Sequence, residues 1–208
     1  GLSCVLFVAI SNYVGNIDTE YEARRGLNHG QFELKLDYAL EWDEAYPENN
    51  LDSILRNNPL NESLLENIKS ISGVTEVQTR EVAVANINGV KQTVSIVNKE
   101  DFEKMRQEGD LGAMDYDEAV KNGDVFFGWS MWMESDGYSL DSPISFELDN
   151  GTEKLLYDGN IAGAFLSADS YLVMPEEVYH AMQPSEPAYG YVWIDCDEKD
   201  VESVEQDV

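Results

Sequence analysis

The chain has 208 residues, with 41 acidic and 13 basic side chains and a formal charge of −28. A surface this negative repels phosphate backbones and anionic headgroups, which excludes nucleic-acid partners and basic-patch membrane contact. Apolar residues make up 43% and aromatics 11%, enough to build a core and to exclude a disordered chain. The two cysteines, Cys4 and Cys196, supply neither a disulfide framework nor a metal motif.

Leu2 to Ile10 is an apolar run without a charge. Roughly 20 such residues are needed to span a bilayer. The run lacks the basic n-region of a signal peptide. It reads either as a buried N-terminal element or as the outer end of a transmembrane helix. Cytoplasmic flanks are rich in Lys and Arg. Here the first basic residues are Arg24 and Arg25, and residues 175–208 hold ten acids and one base, Lys199. Both flanks read as extracytoplasmic.

Residues 11–25 are a polar lead-in. Phe32, Leu34, Leu36 and Tyr38 alternate with Glu33, Lys35 and Asp37, the period of a half-buried strand. Residues 41–59 read as a loop with one helical turn near Leu51 to Leu55. Asn61 to Ser72 is expected to be a helix, capped by Asn61, with Leu64, Leu65, Ile68 and Ile71 on one face and Gly73 at its end. Val77 to Ile87 and Val90 to Val97 are expected strands around an Asn88-Gly89 hairpin turn. The crossover from the first strand to the second is expected to be parallel and right-handed.

Asn98 to Asp101 opens a helix carrying Phe102 and Met105. Asp115 starts a second helix, stopped by Gly123. Asp124 to Phe127 is a short buried strand. Trp129, Trp132 and Met133 share helical spacing and read as core packing or as a partner-contact patch. Ile144, Phe146 and Leu148 alternate as a strand, Asp149-Asn150-Gly151 turns, and Leu155 to Phe165 returns. Tyr171 to Met174 runs into a helix with Pro175 at its first position. Tyr189, Tyr191 and Trp193 mark the last strand, and a final helix starts at Asp200 with Val201 and Val204 apolar.

The fold class is therefore α+β, with two subdomains. Residues 26–98 and 185–208 form a discontinuous β-α-β open-faced sandwich, residues 99–184 a mixed α/β insert, and residues 1–25 the helix end and lead-in. Both ends of the first subdomain leave on the same side.

Catalytic chemistry finds no constellation. Glu176-Glu177 is a helix start, and Asp195/Asp197 a strand end. Asp195-Cys196-Asp197 opens like a calcium loop, but Asp200 stands where glycine is needed and Gln206 where glutamate is needed. His29 and His180 read as solvated loop residues. There is no phosphate-binding glycine loop and no nucleophile elbow. Asn61-Glu62-Ser63 and Asn150-Gly151-Thr152 match the glycosylation sequon. No catalytic, cofactor or metal residue is expected.

The order of segments resembles the extracytoplasmic domain of FtsX/MacB-type ABC-transporter permeases. The likeness begins in the apolar helix end running into Ser11 to Asp18. It continues through Gly30 to Leu34, Leu60 to Val77, Tyr138 to Leu148 with Asn150-Gly151, Ile161 to Gly163, and Val173 to Tyr179. The resemblance implies a porter-like subdomain with an insert and a second transmembrane helix after Val208. It also implies a non-catalytic domain at the cell membrane, on the extracytoplasmic side. It implies a separate ABC ATPase subunit or domain as partner, a homodimer of the full-length permease, and an extracytoplasmic protein or an exported peptide or lipid acted upon. A different expectation follows from charge alone: an acidic domain that captures cationic peptides, or a free-standing cell-surface module.

Overall fold

The computed structural model describes residues 30–38, 50–108, 110–111, 115–128, 134–165 and 170–207. The expected helix end at Leu2 to Ile10, the lead-in, His29, Trp129, Trp132 and Met133 lie outside the described residues.

The local expectations translate into elements with visible causes. Strand β1 covers Phe32–Lys35. Helix α1 is Leu51–Arg56, started by the Asn50 side chain accepting from Asp52 N. Helix α2, Glu62–Ser70, is capped by Asn61 Oδ1, which accepts from Leu64 N at 3.0 Å. Gly73, at φ 97°, turns the chain into β2. That strand starts three residues earlier than its alternation suggests and spans Val74–Ile87. Asn88 and Gly89 both take positive φ, 52° and 84°, as a type I′ hairpin needs, and β3 is Val90–Val97.

Helix α3 (Lys99–Glu108) is followed by the short β4 (Asp110–Leu111) and by α4 (Tyr116–Asn122). Asp115 Oδ1 caps α4, and Gly123 at φ 73° ends it. Strand β5 is Val125–Phe127, β6 is Pro143–Asp149 and β7 is Lys154–Phe165. Strand β8 is Leu172–Pro175 and α5 is Glu176–His180. Pro175 is therefore not the first helical residue. Its ψ of 138° and its pairing with Val97 make it the last residue of β8. Strand β9 is Tyr189–Cys196, and α6 is Val201–Asp207.

Strand pairing sorts these elements into two β units that share β2. The first is β1-β9-β2. Both outer strands run antiparallel to β9, so β1 and β2 are parallel to each other with the last strand between them. Helix α2 crosses from one to the other, and Leu65 and Ile68 join Phe32, Leu34, Val192, Ile194 and Val204 of α6 in one core.

The second unit is a ring. The distal half of β2 pairs with β3, β3 with β8, β8 with β5, β5 with β7, β7 with β6, and β6 again with β2. Six strands thus close on themselves, which removes their edges. Alternate residues point inward. Ala83, Ala85 and Ile87, Val94 and Ile96, Val125 and Phe127, Ile144, Phe146 and Leu148, Ile161, Leu172 and Met174 fill the interior. On the outer face of β8, β5 and β7, helices α3 and α4 bury Phe102, Met105, Tyr116 and Ala119 against Phe126, Ala162, Phe165 and Val173. Residues 99–184 therefore close the ring only together with β2 and β3. A boundary drawn at residue 98 cuts through hydrogen-bonded strands, because β2 is long enough to serve both units.

Two glycines fix how the layers meet. A Cβ on Gly73 would lie 2.6 Å from Asp200 Cβ, where the C-terminal turn docks. Gly151, at φ 90°, sits in the β6–β7 turn against the backbone carbonyl of Leu55 in α1. Replacing Gly151 with alanine adds a left-handed backbone penalty to a clash with main chain that cannot swing away. Gly151→Ala is expected to cost about 2 kcal/mol or more in urea denaturation.

Candidate functional site

Strand β2 changes partners in the middle. Its register against β9 shifts between Arg80 and Glu81, and from Val82 onward it pairs with β3. A bulge there twists the strand and re-aims its side chains. A cleft of about 370 Å³ opens at this junction. Its walls are Thr79, Arg80 and Glu81 of β2, Ile96 and Asn98 at the end of β3, Asp101 of α3, Glu176 and His180 of α5, Pro184 to Pro187 of the following loop, and Tyr189 of β9.

Arg80 is 5% exposed. Its Nη2 lies 2.6 Å from Asp101 Oδ2, and both side chains are almost fully buried. The guanidinium lies over the Trp193 ring at 5.0 Å and the Tyr191 ring at 5.7 Å. Those rings stack on each other 5.3 Å apart and nearly parallel, and Trp193 Nε1 donates to Glu33 Oε2 at 2.8 Å. A column of contacts thus runs from β1 through β9 and β2 into α3. Asn98 Oδ1 accepts from Asp101 N and so fixes the first turn that carries the carboxylate.

Two further acids face the same space. Glu81 Oε2 is 2.6 Å from His180 Nε2. His180 is solvent-exposed as expected, but it ends a helix and has a carboxylate partner instead of lying in a loop. Burial pushes the Glu176 carboxyl above its ordinary value of 4.5. His180 opposes that shift, and Glu81 and Asp101 add to it. The cleft gathers charged groups, and among the described residues no side chain there pairs as nucleophile and base. Among the described residues, no group of three or more His, Cys, Asp or Glu is placed to hold a metal.

The other motifs fall into structural roles. Asp195 Oδ1 accepts from Gln31 N at 3.1 Å, and Cys196 N donates to Gln31 Oε1 at 2.8 Å, which ties β9 to the residue before β1. Asn150 is buried. Its Oδ1 accepts from the Thr152 and Glu153 amides, and its Nδ2 donates to Tyr179 Oη. That sequon cannot present its side chain. Asn61 is exposed and caps α2. Of the cleft residues, Glu176 and His180 were weighed from sequence and given structural readings, while Arg80, Glu81 and Asp101 were not singled out. The one available signal was Arg80 itself, a lone base in an alternating strand of an acid-rich chain.

No family model matches the chain, and no curated protein matches it. Several solved structures are similar to it, among them the following two. One is the extracellular domain of the noncanonic ABC-type transporter YknZ from Gram-positive bacteria. It has a TM-score of 0.40 and 14% identity, over 72% of this chain and 81% of that chain. The other is the periplasmic region of MacB from Actinobacillus actinomycetemcomitans. It has a TM-score of 0.39 and 10% identity, over 71% of this chain and 72% of that chain. At these values no residue takes a role from the likeness.

Breaking the buried pair from one side strands a charge. Asp101→Leu is expected to cost about 3 kcal/mol, and the double variant Arg80→Met/Asp101→Leu to recover most of that loss. Urea denaturation of the four-member cycle measures it. Because the raised pKa of Glu176 means the folded chain binds that proton more tightly, its contribution is complete at low pH. It is lost as pH rises from about 4.5 through the raised pKa. Glu176→Gln is expected to flatten that stretch of the stability–pH curve.

Proposed function

We propose that the chain is the non-catalytic extracytoplasmic domain of an ABC-transporter permease subunit. It would be carried between two membrane helices and move with them, passing the effect of cytoplasmic ATP hydrolysis to a substrate or to an extracytoplasmic partner. The segment order described above supports this reading.

The observation that carries it is the meeting of the first and last strands. Phe32 of β1 lies opposite Ile194 of β9, and Gln31 is hydrogen-bonded to both Asp195 and Cys196. The first and last strands are therefore one mechanical point, which suits a loop carried between neighbouring spanning helices. From that point β9 and β2 run directly to the ring, so a displacement at the ends is delivered through hydrogen-bonded strands rather than through a flexible linker. Among the described residues, no helix is long and apolar enough to cross a membrane. The spanning segments belong outside them. ATP hydrolysis belongs to a separate subunit or domain.

The topology is tested in intact cells making the membrane-borne protein with Cys4 and Cys196 replaced by serine. A cysteine introduced at exposed Glu66 is expected to react with a membrane-impermeant maleimide without lysis. Labelling only after lysis would sink the reading. In the reconstituted transporter, Arg80→Ala slackens the junction and is expected to reduce substrate-stimulated ATP hydrolysis.

A further inference from the structure

We propose that residues 181–188 form a hinged strap that opens and shuts the junction cleft, with Glu153 as its latch. The strap runs from the end of α5 to the start of β9. Pro184 to Pro187 form the cleft's outer wall.

Both ends of the strap are fixed. At the first, Ala181, Met182 and Gln183 donate their amides to Glu177, Tyr179 and His180 carbonyls at 2.9–3.0 Å. At the second, Ala188 is buried and its carbonyl accepts from Val82 N at 2.8 Å, while the Tyr189 carbonyl accepts from Asn58 Nδ2. Between them Gln183 takes φ 59°, a reversal at the base of the strap. Pro184 and Pro187 have no amide to donate. Gln183, Ser185, Glu186 and Pro187 are exposed.

What holds the middle is Ser185. Its amide and its hydroxyl both donate to Glu153 Oε1, the hydroxyl at 2.6 Å. Those bonds hold the Glu153 carboxyl below its ordinary value. Glu153 itself sits in a rigid place. Its amide is bonded to Asn150 Oδ1 in the β6–β7 turn, and Asn150 is braced on Tyr179. The latch is thus mounted on the ring, and the strap swings between ring and three-stranded unit. A segment with exposed residues, few backbone bonds and one anchoring carboxylate opens locally, at a cost far below global unfolding. Opening it gives water or a ligand access to Glu176 and to the buried Arg80–Asp101 pair.

Amide hydrogen exchange by mass spectrometry tests the strap on the whole chain. Glu153→Ala is expected to raise exchange about tenfold or more at residues 183–188 and at Asn98 to Asp101, leaving β3 and β8 unchanged. Ser185→Ala, which keeps the amide bond, should show a smaller rise, and Glu153→Gln should lie between. No rise in the strap, or an equal rise in β3 and β8, would overturn the proposal. A Glu153→Cys/Ser185→Cys disulfide, with Cys4 and Cys196 replaced by serine, provides the converse. Oxidation is expected to slow exchange at Asn98 to Asp101 and reduction to restore it. An unchanged rate on oxidation also overturns it.

Discussion

A guanidinium held out of water between a carboxylate and two stacked rings sets the architecture of this protein. Arg80 is the last residue of β2 in register with β9 before the strand turns to β3. A charge buried there must be answered, and the answer comes from α3, an element of the other β unit. Pairing Arg80 with Asp101 therefore fixes where α3 lies, and with it the packing of Phe102 and Met105 on the outside of the ring. The cation over Trp193 and Tyr191 fixes the face of β9, and the Trp193–Glu33 bond extends the constraint to β1. A desolvated cation–π contact is worth about 2 kcal/mol. Its larger effect is to specify, together with the Leu55–Gly151 contact, one relation between two units that share a strand.

The cleft follows from the same constraint. When β2 bulges to change partners, the strands on either side diverge, and the gap is lined by whatever the junction needs to be polar. Acids outnumber bases there, as they do across the chain. Glu81 is answered by His180 and Asp101 by Arg80, while Glu176 is partly withdrawn from water. The polar residues at this point are those that join the two units, so a ligand or a movement that disturbs one unit is felt by the other through them.

Much of this was legible locally. The alternation at Phe32 to Leu36, the Asn61 and Asp115 caps, the Asn88-Gly89 and Asn150-Gly151 turns and the paired strands β6 and β7 all obey short-range rules, in which the deciding atoms lie within a few residues of one another. The ring was not legible. Its closure depends on β6 meeting β2 and on β8 lying between β3 and β5, and alternation states which face is buried but not which strand lies beside it. The His180–Glu81 contact was not legible because the two residues lie 99 positions apart. Pro175 was placed in a helix because its fixed φ suits both a first turn and a strand end, and only the pairing with Val97 decides. The proposed contact patch at Trp129, Trp132 and Met133 stays a proposal, since those residues lie outside the described ones.

The place of β9 has a consequence for how the chain assembles. The strand that fills the centre of the three-stranded unit is the last of the described strands to leave the ribosome, and its contacts with β1 span about 160 residues of sequence. Until it arrives, β1 and the proximal half of β2 face an empty slot one strand wide, each offering an unpaired edge. Such edges invite pairing with another chain, and contacts this distant in sequence form slowly. A nascent chain with a large excess of negative charge repels its neighbours during that interval. The charge of −28 thereby acts first as a guard on folding, before the finished domain has any partner to attract or repel.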